Sequence, residues 1–447
     1  MPIPYLPHTD TDRRAMFDTL GVAGMEDLLT EIPSELRCGP LDLPAAASEP
    51  EILHELDGLA KKNSLYAGPR SFLGGGAYNH HIPATVSALV SRGEFVTAYT
   101  PYQPEVSQGT LQVIYEWQSM ICDLTGLDVS NASLYDAATA CAEAAMMAVN
   151  VTNRTGVVAA STLNPEYLQV LRTYCWSQGL QLLELPATDG RIDPTALHDV
   201  LGDSSAVVIV QSPNYFGIIE DQAALVEQAH RAGALYVTCA DPLSLAVVAT
   251  PGQVGADIAV GDAQPFGIAL AYGGPYAGYI AAKEALLRRM PGRIVGASVD
   301  SNGRRAYVMT LRAREQDIRR EKATSNICSN HALCATTATV YLSYMGKHGV
   351  QHVANLCIQK AHYAADQIEK IPGYSLPFGG PFFHEFAVST PRPGAEIRDA
   401  LLERGILAGI PIDGQAGIEH GLLVCVTEQN RKEDIDALVQ GLEDVRR

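Results

Sequence analysis

Lysine is scarce in this chain. It occurs eight times in 447 residues, and the excess of acid leaves a formal net charge of −18. A surface of that sign repels phosphate backbones and anionic lipid, which excludes nucleic acid and the membrane surface as expected partners. No apolar run approaches the roughly 20 residues that cross a bilayer. The nine cysteines include no CxxC, and several, such as Cys239 and Cys425, sit in apolar runs. That usage predicts reduced, buried thiols in a cytoplasmic protein and no disulfide framework. The opening residues, MPIPYLPHTDTDRR, have neither an apolar core nor an arginine-rich transit character, so neither export nor organelle import is expected. Disorder is excluded as well. With 47% hydrophobic and 18% charged residues the composition is globular, and the length suffices for two or three domains.

What is present reads in three parts. Residues 1–65 predict a helical arm. Thr9-Asp10-Thr11-Asp12 caps a helix over 13–20, a short helix covers 25–29, a proline-bearing loop spans 38–44, and a further helix lies near 49–62. The arm has too little apolar sequence to fold alone, so it wraps either a partner subunit or its own large domain. Residues 66–345 predict a large α/β domain. Strands at 157–160, 180–185, 206–210, 235–239, 257–261 and 276–281 alternate with helices at 137–149, 165–178, 194–200 and 222–232, the pattern of a mostly parallel sheet. Helices at 331–345 and 350–371 lead into residues 346–447, a small α+β domain with strands near 384–388 and 422–426, an edge at 406–410 and helices at 395–404 and 432–443. The run 304–320 holds six arginines. It reads either as a solvated helix with an i,i+4 pair between Glu315 and Arg319, or as a docking patch for an acidic partner.

In an open α/β sheet the ligand crevice lies just beyond the strand C-termini. Asp241 follows one strand there, and Gln264-Pro265 follows the next. This layout resembles the large domain of pyridoxal-phosphate (PLP) enzymes of the aspartate aminotransferase type, fold type I. That family sets an Asp against the pyridine nitrogen and a Schiff-base lysine one strand later. Here the Asp stands, but Gln264 and Pro265 occupy the lysine's place, and neither forms an imine. Asp136 precedes the helix from 137, and a carboxylate capping that N-terminus repels the phosphate such an end otherwise holds. Lys322 is the rival amine, although it lies beyond the last large-domain strands. The turn Gly74-Gly75-Gly76 lacks the Lys-Ser/Thr of a nucleotide cradle. The neighbouring pair His80-His81 diverges and has no third metal ligand at a suitable spacing.

Several phrases carry a sharper resemblance: YNHHIP, AYTPYQPEVSQG, NASLYDAATACAEA, VQSPNYFGIIED, GDAQPFGIALAYGGPYAGYIAA and RREKATSNICSNHAL. They look like the glycine decarboxylase (P-protein) family of the glycine cleavage system, in the N-terminal half that many bacteria make as a separate alpha chain. The resemblance runs over essentially the whole sequence. It implies that subunit 2, the beta chain, holds PLP and carries His-Lys where this chain has Gln264-Pro265. It further implies an α2β2 assembly that decarboxylates glycine and passes the aminomethyl group to the lipoyl arm of H-protein. This chain then supplies no catalytic residue, and Asn79, Tyr99, Tyr102, Glu105 and Ser107 line the substrate channel and interface. Two other readings stay open: a self-sufficient PLP enzyme using Lys322, and a non-enzymatic scaffold on a degenerate PLP fold.

Overall fold

The structure is a computed structural model and describes residues 7–39, 41–63, 70–328 and 330–446. It divides into two units, Met1–Ser64 and Leu65–Arg447. Pro40 of the expected proline-bearing loop, and the expected boundary at 65/66, lie outside the described residues.

The first unit carries the helices Asp10–Leu20, Met25–Leu28 and Glu49–Ala60. Thr9 caps the first through a reciprocal pair of bonds with Asp12, and left-handed Gly21 ends it. None of the three helices buries a residue. Ile52, Leu53, Leu56 and Leu59 form a stripe along the last helix, and all four are exposed.

The second unit is built on a seven-stranded sheet. In chain order its strands are β1 (Val129–Ser130), β2 (Gly156–Ala160), β3 (Gln181–Leu185), β4 (Ser205–Gln211), β5 (Leu235–Cys239), β6 (Ile258–Asp262) and β7 (Gly278–Ala282). They lie side by side as β1-β7-β6-β5-β4-β2-β3. The pairs β3·β2, β2·β4, β4·β5 and β5·β6 are parallel, while β7 runs antiparallel to both β6 and β1. Both faces are covered, which explains the near-continuous apolar runs. Val157, Val207, Ile209, Val237, Ile258 and Val260 point to a core shared with the alanine-rich helix Ala137–Thr152. Their neighbours Val158, Val208, Val210 and Tyr236 point to another core, under the helices Pro194–Val200 and Gln222–Arg231. Trp117 of the helix Gln108–Thr125 is fully buried beside Tyr279 and Tyr341, and its indole N–H donates to Asn131 O at 3.1 Å.

The helix Ala332–Ile368 is broken at Gly346, where φ is 60°. Its second half packs with the helices Gly394–Leu402 and Lys432–Val445 against a three-stranded antiparallel sheet ordered Glu385–Ser389, Gly421–Cys425, Ile410–Pro411. No described helix is long and apolar enough to cross a membrane.

The arginine-rich run differs from its expected helix. Ile294–Val299 and Arg305–Thr310 form an antiparallel hairpin, and the rest is one α-helical turn, Gln316–Arg319, between the 3-10 turns Arg312–Arg314 and Arg320–Lys322. Ala306-Tyr307-Val308-Met309 is a short apolar run, and Tyr307 and Met309, two positions apart on one face, pack on Leu111. Glu315 does not bridge to Arg319, because it is buried against Arg293.

Candidate functional site

Strands β4, β5 and β6 end at the same edge, as their parallel pairing requires. The crevice they open is nearly filled. Its volume is about 30 Å³, and it is lined by Tyr78, Gln211, Asp241, Asp262, His384 and Glu385 among others. That is the room of about one water molecule. Gln264 precedes Pro265, one of the lining residues. Its side chain accepts from Tyr78 N at 2.9 Å and donates to Tyr78 O at 2.9 Å and to Ile268 O at 3.0 Å, fastening the glycine-rich turn to the end of β6. Asp262 accepts from Gln264 N and Ala277 N through one oxygen and from Ala137 N through the other. Asp136 caps the same helix, accepting from Thr139 N at 2.7 Å. Two carboxylates therefore occupy the N-terminus of the Ala137–Thr152 helix.

Burial dominates the electrostatics here. It raises Asp262 to about 7 and Asp241 to about 6. Burial raises Glu385 to about 8 even though Gly75 N and Tyr78 OH both donate to it. His384 Nε2 lies 3.4 Å from Asp241 Oδ2, but burial drives the histidine well below its ordinary value and the acid above its own. The histidine is held neutral, so the approach is not an ion pair of two full charges. Glu428 differs. Burial pushes it up, yet its 2.7 Å bond to His80 Nδ1, the His80 charge and the His81 N–H together bring it down to about 2. Cys357 Sγ donates to the same carboxylate at 3.5 Å, and one donor atom from each of His80, Cys357 and Glu428 lies within 4.8 Å of the others. No local spacing announces this grouping, since the neighbours of His80 come from 277 and 348 positions away.

Outside the crevice is an open cleft of about 660 Å³, lined by Gly74, Gly75, Gly76, Asp136, Glu166, Asp262 and Tyr276 among others. Its described lining holds three carboxyl groups and no lysine, arginine or histidine. Neither space suits pyridoxal phosphate. The inner one is too small for a pyridine ring, the helix end carries acids where a phosphate needs free N–H groups, and none of the eight lysines lines either space. Lys322 is exposed on the turn Arg320–Lys322.

The expected channel residues fall in two places. Asn79 belongs to the glycine-rich turn, and its carbonyl accepts from Thr427 Oγ1 at 2.7 Å. Tyr99, Tyr102, Glu105 and Ser107 share the loop before the Gln108–Thr125 helix. Tyr99 is 80% exposed, Glu105 is exposed, and Ser107 holds the N-cap position without a side-chain cap bond. Tyr102 is fastened. Arg293 Nη2 donates to its hydroxyl at 2.9 Å, and the Arg293 and Arg312 guanidinium carbons sit 5.1 and 5.2 Å from its ring centre. Arg293 itself is buried, ion-paired with Glu315, and bonded to Cys328 Sγ at 3.2 Å. Beneath Tyr99 lies a cavity of about 210 Å³ walled by Thr110, Ser133, Arg293 and Asn330 among others. Arg293, His384, Glu385 and Glu428 were missed from sequence. The one local sign for Arg293 was an arginine between Gly292 and a β-prone run.

The chain matches the family described as glycine cleavage system P-protein over residues 4–442. A relative from Desulfitobacterium hafniense, named probable glycine dehydrogenase (decarboxylating) subunit 1, is 48% identical over 99% of this chain and 100% of its own. One of the same name from Moorella thermoacetica is 50% identical over 98% of both chains. A crystal structure of glycine decarboxylase (P-protein) of the glycine cleavage system, in inhibitor-bound form, superposes with a TM-score of 0.93 at 44% identity, over 99% of this chain and 100% of that one. A sphingosine-1-phosphate lyase from Burkholderia pseudomallei shares the fold, with a TM-score of 0.68 at 14% identity over 92% of this chain and 93% of its own.

Proposed function

The chain belongs to the glycine cleavage system P-protein family and has the fold of type I PLP enzymes, and we propose on that premise that it is the cofactor-free half of a glycine decarboxylase. In this reading subunit 2 holds PLP on its own lysine and supplies the electron sink for decarboxylating glycine. The two chains pair as α2β2, and the aminomethyl group passes to the lipoyl arm of H-protein. Gln264-Pro265 stands where a lysine would have to stand for this chain to hold the cofactor itself. The observation that carries the reading is the small crevice: about 30 Å³, beside a Gln264 amide already committed to the Tyr78 backbone, with acids on the adjoining helix end.

The chain's own residues then bind and orient. Asn79, Tyr99, Tyr102, Glu105 and Ser107 offer amide, hydroxyl and carboxylate groups to a small zwitterion at the channel and interface. Arg293 is a positioning residue, since it fixes Tyr102 and through it the loop that carries four of the five. The division into arm, large domain and small domain serves the same assembly, with the arm's exposed apolar stripe available to a partner.

The test is PLP content and glycine-carboxyl exchange, measured with H-protein present, on the chain alone and then mixed with subunit 2. The chain alone is expected to be colourless and inactive, and the mixture active. Lys322→Ala is expected to leave the PLP content of the mixture unchanged. A PLP absorbance band and exchange activity in the chain alone would overturn the reading.

A further inference from the structure

Between β6 and β7 the backbone does something costly. Ala271, Tyr272, Gly273 and Gly274 are four consecutive residues at positive φ, 43°, 56°, 114° and 126°. The last two are glycines and adopt this region freely, whereas Ala271 and Tyr272 carry a Cβ and do so rarely. The shape is held from one point. The Leu270 carbonyl accepts from Gly273 N at 2.9 Å, from Gly274 N at 3.2 Å and from the Tyr276 hydroxyl at 3.0 Å. What this arrangement presents is Tyr272. Its side chain is 98% exposed, more than any other large apolar or aromatic side chain among the described residues. Gly273 and Tyr276, at the root of the loop, line the open cleft at the strand ends.

A tyrosine held fully in water by a pinned, disfavoured backbone gains nothing within its own chain. Backbone outliers of this kind persist where surrounding contacts fix them, and they cluster at active sites, ligand clamps and switch regions. Tyrosine is among the residues enriched as anchors in protein interfaces, and a backbone already fixed loses little freedom on docking. We infer that the 270–276 loop is a preformed docking element, with Tyr272 as the anchor that inserts into subunit 2. This rests on the proposed function for the identity of the partner. The loop's build supplies the rest: a single projecting ring, at the mouth of the cleft, on the face where the strands end.

The experiment is the affinity of the full chain for subunit 2, by titration calorimetry or analytical ultracentrifugation, with the melting temperature of each variant alone. Tyr272→Ala is expected to leave melting unchanged and to weaken pairing at least tenfold, about 1.4 kcal/mol. Tyr272→Phe, which keeps the ring, is expected to restore most of the affinity. Unchanged affinity in Tyr272→Ala overturns the inference. A lowered melting temperature also overturns it, because the ring would then pack on its own chain, as does self-association of the parent chain that Tyr272→Ala abolishes. If the parent chain fails to pair with subunit 2 at all, the proposed function falls with it. If the parent pairs and the variant pairs equally well, only this inference falls.

Discussion

Glu385 makes folding stability depend on pH in an unusual direction. Its carboxyl is 4% exposed, and burial lifts it from 4.5 to about 8 in the folded chain. The folded state therefore holds a proton that the unfolded state releases above about 4.5. The stabilisation is complete below that value, declines as pH rises toward 8, and is lost above 8. At ~1.4 kcal/mol per pH unit the full span is about 5 kcal/mol. Glu385→Gln carries no charge at any pH and keeps an oxygen to accept from Gly75 N, while its amide can donate to the Tyr78 hydroxyl in the reversed sense. The assay is urea unfolding at intervals from pH 5 to pH 9, followed by fluorescence of the fully buried Trp117. Asp241, Asp262 and Glu143 are raised to about 6, 7 and 7 by burial and titrate in the same window, so the informative quantity is the difference between variant and parent. That difference is expected to favour the variant increasingly between pH 5 and pH 8 and to level off above. A difference that stays flat across the range would refute a buried, protonated Glu385.

Arg293→Ala leaves the buried Glu315 carboxylate uncompensated and frees Tyr102, so a loss of about 3–5 kcal/mol is expected in urea unfolding. Arg293→Met with Glu315→Leu should recover most of it. Gly217→Ala places a Cβ on a residue with φ of 89° against the Glu385 carbonyl, and little soluble folded chain is expected, a penalty of more than ~4 kcal/mol. Gln264→Lys breaks the three side-chain hydrogen bonds by which the Gln264 amide holds Tyr78 and Ile268, beside the small crevice. It is expected to lower stability by about 3 kcal/mol and to give no PLP absorbance when the cofactor is added, which a spectrum checks directly.

The large-domain pattern was legible because its physics is local. β2, β4, β5 and β6 are buried on both faces and so read as short apolar runs, and Asp136 announces its helix as a cap does. The antiparallel direction of β7 was not legible, since strand sense depends on the path of the 263–277 segment and not on residue type. The arginine run misled for a different reason. Its charge count suggested a solvated helix, while the short apolar run Ala306-Tyr307-Val308-Met309 carried the strand signal. The site was half legible. Asp241 and Gln264 sit at strand ends and could be placed from the α/β layout, but Glu385 reaches Gly75 across 310 positions and Glu428 reaches His80 across 348, and no local spacing encodes such pairs. Among the channel residues, Tyr102 lies at a contact hub that only the fold reveals, because Arg293 is 191 positions away.

The filled crevice also has a historical meaning. The groups in and around it are already bonded to one another: the Gln264 amide satisfies three backbone groups, Asp136 and Asp262 satisfy helix N–H groups, and the Tyr78 hydroxyl donates to Glu385. No single substitution turns such a site into one that holds a cofactor, and each first step toward one makes the chain less stable. The arrangement works as a ratchet. Under the proposed function, such a chain regains the chemistry only through several substitutions made together, each unfavourable alone.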